Sequence, residues 1–403
     1  MERVMLCWKN MKVMKSNSFK IVLVSLWMGL STIVSLASSS KYYVELPYEN
    51  VNGKLIIEAK VEGISGKFVF DTGAPFYISY PLSQKITSKQ TRNQDIIDSG
   101  GNKIQVEKTV VESLHLGPSE SGLMFLNVPA NIIPQGNIVE QLGVDGIIGC
   151  DIMPNAVVRM DSRRHVIIIT DDISPFKISM RNRMKLTVNA QNIPFVEVNL
   201  GKGVIETPMF DCGSAAFYEL CEATAEKFSQ AGAFAVIAKG YGSAGLGIGG
   251  TAAVMERKRM KISDLRLGSG KFHNVVTETI HGTMSRFGSG ILAYGVVTLD
   301  FGNGAFYYEP FEVGKVIDLY EPKWNIDISY DDGHVVVAGV WDDKLAEKIQ
   351  LGDVIKAIDG KAVPEVNLQE ALRKGLLKIK KSKAELTLLS KNGKEYHVKI
   401  TKK

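Results

Sequence analysis

Apolar and polar positions alternate along this chain in short blocks of strand length. Leu55-Ile56-Ile57, Ala59 and Val61 lead to a Glu62-Gly63 turn, and the apolar run Phe68-Val69-Phe70 follows. The stretch from Gln94 to Glu107 predicts a hairpin with Ser99-Gly100-Gly101-Asn102 at its tip. Residues 112–117, 127–133, 145–149, 157–161 and 166–169 continue the series. A second half repeats this order. Phe195-Val196-Glu197-Val198-Asn199-Leu200 leads, 263–268 echoes 112–117, and 274–280 echoes 127–133. Ser289-Gly290-Ile291-Leu292 is aligned with 145–148, and 296–300 with 157–161. Two related β-rich halves joined near 178–186 are expected. After Pro310 the pattern changes to charged helices and tight hairpins. Asn367 and Glu370 cap a helix carrying Leu368, Ala371 and Leu372, and Asn392-Gly393 turns a last hairpin. The expected division is 38–180, 181–312 and a separate small α+β domain over 313–403.

Each half carries an acid where its leading apolar run ends. Phe68-Val69-Phe70 enters Asp71-Thr72-Gly73-Ala74, and Pro208-Met209-Phe210 enters Asp211-Cys212-Gly213-Ser214, 140 residues later. One such motif alone is an ordinary turn. Two at equivalent places in aligned halves point to one shared site. Two close carboxylates do not both ionise cheaply, so one keeps a proton and one is charged. The charged one draws a proton from water while the protonated one polarises a carbonyl. Thr72 supplies a buttressing hydroxyl, Gly73 and Gly213 permit close approach, and Ala74 and Ser214 fit a crowded seam. Ser214 is expected to donate to Asp211 and favour its charged form, a help that Ala74 does not give Asp71.

Composition narrows the class. The 403 residues are 45% hydrophobic and 23% charged, as in a globular protein. The net charge of +5 resides mainly in the first 37 residues, where Arg3, Lys9, Lys12, Lys15 and Lys20 face only Glu2. The rest is nearly neutral, so no nucleic-acid partner is expected. Those basic residues precede an apolar run from Ile21 and a Ser35-Leu36-Ala37 exit, the layout of a signal peptide over 1–37. Export to the periplasm or the medium is expected, with an uncleaved membrane anchor as the alternative. Cys150, Cys212 and Cys221 show no metal-ligand spacing, and neither do the six histidines. Neither metal nor cofactor is expected. Gly240-Tyr241-Gly242-Ser243-Ala244-Gly245 matches a dinucleotide fingerprint, but Gly247, Gly249 and Gly250 spoil the helix that must follow. A glycine-rich hairpin is expected there instead.

The two Asp-x-Gly motifs, with Asp145-Gly146-Ile147-Ile148-Gly149, resemble the paired elements of pepsin-like and retropepsin-like aspartic proteases over residues 42–310. That resemblance implies a mainly β fold of two related lobes, Asp71 and Asp211 as the catalytic pair, and a peptide or protein substrate. It also implies a flap, placed at Ser99, Gly100, Gly101 and Asn102. Cys212 departs from the usual Thr, which weakens the reciprocal buttress on one side and leaves open a peptide-binding protein without catalysis. Gly352-Asp353-Val354-Ile355-Lys356-Ala357-Ile358-Asp359-Gly360-Lys361 resembles a bacterial PDZ domain, which implies a peptide ligand. With both acids in one chain, a monomer is expected to suffice, and deletion of 314–403 to spare hydrolysis of short peptides.

Overall fold

The computed structural model describes residues 41–87, 89–281, 284–375 and 379–403; the expected signal peptide lies outside them. The protein is mainly β, with two β-rich lobes. A six-stranded antiparallel sheet joins the lobes. Its order is Tyr43–Pro47, Val166–Thr170, Val157–Asp161, then Gly295–Asp300, Ala305–Pro310 and Arg183–Val188. Val166–Thr170 and Gly295–Asp300 are buried along their whole length. Covered on both faces, Val166–Ile169 is a continuous apolar run, and Gly295–Asp300 buries Thr298 and Asp300 among its apolar residues. At the seam Arg159 lies opposite Thr298, and its Nη1 donates to the Thr298 hydroxyl at 2.9 Å.

In the first lobe Lys54–Val61 and Ile64–Phe70 form the hairpin turned at Glu62-Gly63, within an eight-stranded sheet. Phe68, Phe70 and Phe76 pack with Phe210, Phe287 and Phe306 of the second lobe in one apolar cluster. Burying each such ring contributes about 1.5–3 kcal/mol, so the strands that end at the two acids are firmly anchored. The second lobe runs further than the sequence pattern suggests. Strand Val316–Asp318 lies parallel to Gly270–Ile280, and the Leu319 amide donates to the His273 carbonyl at 2.9 Å.

The C-terminal module has its own core of Ile326, Val335, Val337, Leu386, Leu388 and Ile400. Its helix Leu368–Lys374 is capped by the Asn367 side chain, as the sequence indicates. Yet the module is tied into both lobes. Its strand His334–Val340 pairs with Phe234–Ser243, placing Tyr241 opposite Val340 and Gly242 opposite Gly339. A Cβ on Gly240 would lie 2.5 Å from the Trp341 ring, and one on Gly242 would lie 2.4 Å from the Ala338 carbonyl oxygen. The glycines of the apparent dinucleotide motif therefore let two backbones meet. Buried Arg257 and Arg259 bind Glu278 and stack on Trp341, and Arg257 also binds Asp327 at 2.8 Å. On the other side Leu372 packs into the first lobe, Asn52 Nδ2 donates to its carbonyl at 2.6 Å, and Arg373 pairs with Glu49.

Candidate active site

Each acid is carried on the end of a buried strand and held by the strand beside it. The Asp71 amide donates to the Ile148 carbonyl at 3.0 Å, and the Asp211 amide to the Phe287 carbonyl at 2.8 Å. Their loops meet across the lobes. A Cβ on Gly73 would lie 2.6 Å from the Asp211 Cγ, and one on Gly213 would lie 2.1 Å from Asp71 Oδ2. Only glycine leaves room for the opposite carboxylate. The Thr72 hydroxyl donates to the Phe210 carbonyl at 2.6 Å and accepts from the Cys212 amide at 3.0 Å. Cys212 reciprocates. Its sulfur accepts from the Thr72 amide and donates to the Phe70 carbonyl, both at 3.3 Å. Sulfur thus keeps the hydroxyl's two contacts at greater length. The Gly73 amide donates to Asp71 Oδ1 at 2.8 Å, and the Ser214 amide to Asp211 Oδ1 at 3.2 Å.

Ser214 does not hold Asp211 as expected from the sequence. Its hydroxyl donates to Glu219 Oε2 at 2.7 Å, and only its amide serves Asp211. The hydroxyl turns away because Glu219 lies beneath the loop, paired with Arg286 at 2.5 Å. Arg286 Nη1 in turn lies 3.5 Å from Asp211 Oδ2. Lys54 Nζ donates to the Gly213 carbonyl. Lys54, Glu219 and Arg286 are site residues that the sequence reading missed. The sequence pattern aligns the second copy of the Ile-Ile-Gly element at 289–292. Backbone pairing instead places Arg286-Phe287 beside Met209-Phe210, as Ile147-Ile148 lies beside Val69-Phe70. Residues 289–293 form a 3-10 turn matching the one at 150–152. Holding the offset near 140, as 71 to 211 requires, would have found Arg286.

The hairpin of Lys89–Ile97 and Lys103–Leu116 carries the expected tip. Asp98 organises it, its Oδ1 accepting from the Gly100 and Asn102 amides at 2.9 and 2.7 Å. Asp98 Oδ2 accepts from the Gly249 amide at 2.8 Å, so the tip of the second lobe's glycine-rich hairpin meets it. Asn102 Nδ2 adds a bond to the Thr251 carbonyl at 3.3 Å. Ser99, Gly100 and Ala252 line a small cavity with Arg286, which itself reaches Asp211. Gly101 contributes the turn.

Burial, the Asp211 charge and a hydrogen bond between the two acids push the Asp71 carboxyl up to about 8 from an ordinary 3.8. The proton belongs to the pair. In the unfolded chain Asp71 loses its proton near pH 4, so above that pH the folded state binds one proton more. Its contribution to stability is therefore full below about pH 4 and declines until about pH 8. Asp71→Asn removes this loss. The stability of the variant relative to wild type is expected to rise by about 1.4 kcal/mol per pH unit between pH 4 and 8. Urea unfolding at pH 4, 6 and 8 measures it, and a pH-independent difference contradicts the assignment.

An aspartyl protease family model matches residues 57–152, which include Asp71 and the strand that supports it. Among solved structures, a retropepsin-like aspartic protease from Rickettsia conorii is 21% identical, covering 32% of this chain and 93% of its own, at a TM-score of 0.23. The aspartic proteinase of Irpex lacteus is 11% identical over 66% of this chain and 97% of its own, at 0.40. Basic 7S globulin from soybean is 11% identical over 67% and 95%, at 0.39. No curated protein matches the chain. The family match supports an aspartic protease fold and a protease-type function.

Proposed function

We propose that the chain is an aspartic endopeptidase in which Asp71 and Asp211 share one proton and water is the nucleophile. The observation that carries the reading is the close approach of the two loops, each glycine lying against the other's carboxylate. Acids from two lobes thereby serve one point in space. Asp211, as the carboxylate, takes a proton from water as the oxygen attacks the peptide carbonyl carbon. Asp71 gives its proton to the carbonyl oxygen, forming a gem-diol. On collapse a diol hydroxyl returns a proton to Asp71, Asp211 protonates the amide nitrogen, and the C–N bond breaks. The substrate class is an extended peptide or unfolded segment beneath the paired hairpins. Both acids lie in one chain, which supports a competent monomer. Export belongs to the same reading and rests on the leader sequence. A peptide ligand for the C-terminal module rests on sequence resemblance alone.

The test is digestion of a reduced, alkylated protein by the purified full chain. Hydrolysis blocked by a statine-containing peptide is expected. A folded preparation inert toward a broad peptide library overturns the reading.

A further inference from the structure

The two lobes solve the same packing problem differently beneath their acids. In the first, Ile147 pairs across strands with Tyr77, and both belong to an apolar cluster. In the second, Arg286 and Glu219 hold that register, Arg286 standing where Ile147 stands. Their side chains are only 15% and 18% exposed. A buried ion pair is commonly matched or surpassed in stability by well-packed apolar residues. The first lobe shows that an apolar pair fits this site, so packing does not call for the charges. Their placement does have a consequence for the acids. Arg286 reaches Glu219 with Nε and Asp211 with Nη1, and Glu219 is further held by the Ser214 hydroxyl.

We propose that Arg286, held by Glu219, is the positioning residue that fixes the polarity of the acid pair, keeping Asp211 as the carboxylate and leaving the proton on Asp71. This rests on the endopeptidase reading. Among the described residues, the charged and titratable groups around the pair are Arg286, Glu219, Lys54, the neutral Cys212 and Cys150 thiols and the Tyr77 phenol. Lys54 opposes the arrangement by favouring charge on Asp71, but burial and the Asp211 charge outweigh it. Burial alone would raise the Glu219 carboxyl; Arg286 holds it below the ordinary range, so the pair stays ionised.

The test reads Asp211 directly. In full-length Asp71→Asn protein, Asp211 is titrated by 13C-carboxyl NMR, its signal assigned by loss in the Asp71→Asn/Asp211→Asn double variant. Adding Arg286→Ile with Glu219→Tyr, which copies the first lobe's pair, is expected to raise the Asp211 midpoint by about one to two pH units. Adding Glu219→Gln alone is expected to lower it, because the guanidinium then faces Asp211 without a competing anion. A purely structural pair moves neither midpoint, or moves both the same way. Either result overturns the proposal. With Asp71 restored, the acid limb of the kcat/KM profile should follow the same opposite shifts. Opposite midpoint shifts without wild-type hydrolysis uphold the charge arrangement and defeat the endopeptidase reading. Hydrolysis with a fixed Asp211 midpoint does the reverse.

Discussion

Asp211→Asn is expected to lower kcat/KM toward an unfolded protein at least about 10³-fold, and Asp71→Asn to do the same. The losses are alike because the two acids do different halves of one proton transfer. An amide at 211 cannot take the proton from water, and an amide at 71 cannot give one to the carbonyl oxygen. The loops should survive either change. Each amide keeps an oxygen in the place of Oδ1, which accepts from the Gly73 or Ser214 N–H. The Thr72–Cys212 contacts between lobes involve neither carboxylate. Retention of more than a tenth of wild-type kcat/KM by either variant contradicts the shared-proton mechanism.

Removing residues 321–403 is expected to abolish hydrolysis of short peptides as well as large substrates, contrary to what the sequence alone suggests. The module pairs with the edge of Phe234–Ser243, one arm of the hairpin whose tip meets Asp98. Its loss uncovers Val340's partner strand, strips buried Arg257 and Arg259 of Trp341, and exposes the first-lobe apolar surface under Leu372. A less drastic change probes the same junction. Asp327→Ala removes one of Arg257's two anionic partners while Glu278 remains, and is expected to cost about 1–3 kcal/mol. Urea unfolding of Asp327→Ala and peptide assays of the truncated chain provide the checks. Full activity after truncation identifies the module as an appendage.

The legible parts of this fold were those set by local sequence. Phe68-Val69-Phe70 declares a buried strand and Asp71 its end; Glu62-Gly63 and Asn367 declare a turn and a cap. The hairpin tip at 99–102 was equally plain, because glycines and Asn between two arms have few other uses. What escaped depended on register between distant strands. Arg286 looked like an ordinary polar residue until its strand was placed beside Met209-Phe210. Lys54 belongs to a turn-adjacent position whose partner, the Gly213 carbonyl, lies 159 residues away. Gly240 and Gly242 suit a hairpin by sequence, but nothing local says that Trp341 and Ala338 lie against them.

The seam of the central sheet has a property that reaches back to how such a chain is assembled. Val157 to Met160 run against Asp300 to Val297, with Arg159 opposite Thr298. Under the 139-residue correspondence between 161 and 300, Arg159 and Thr298 are each other's equivalents, so the register maps onto itself when the lobes are exchanged. The edge that one lobe offers is the edge that it accepts. A self-complementary edge of this kind is what an isologous dimer requires. The linker over 171–182 therefore does not specify which surfaces meet; it raises the local concentration of one half around the other. Two separately synthesised halves, or an ancestral single lobe present twice, would have the same docking instructions already written in their strands.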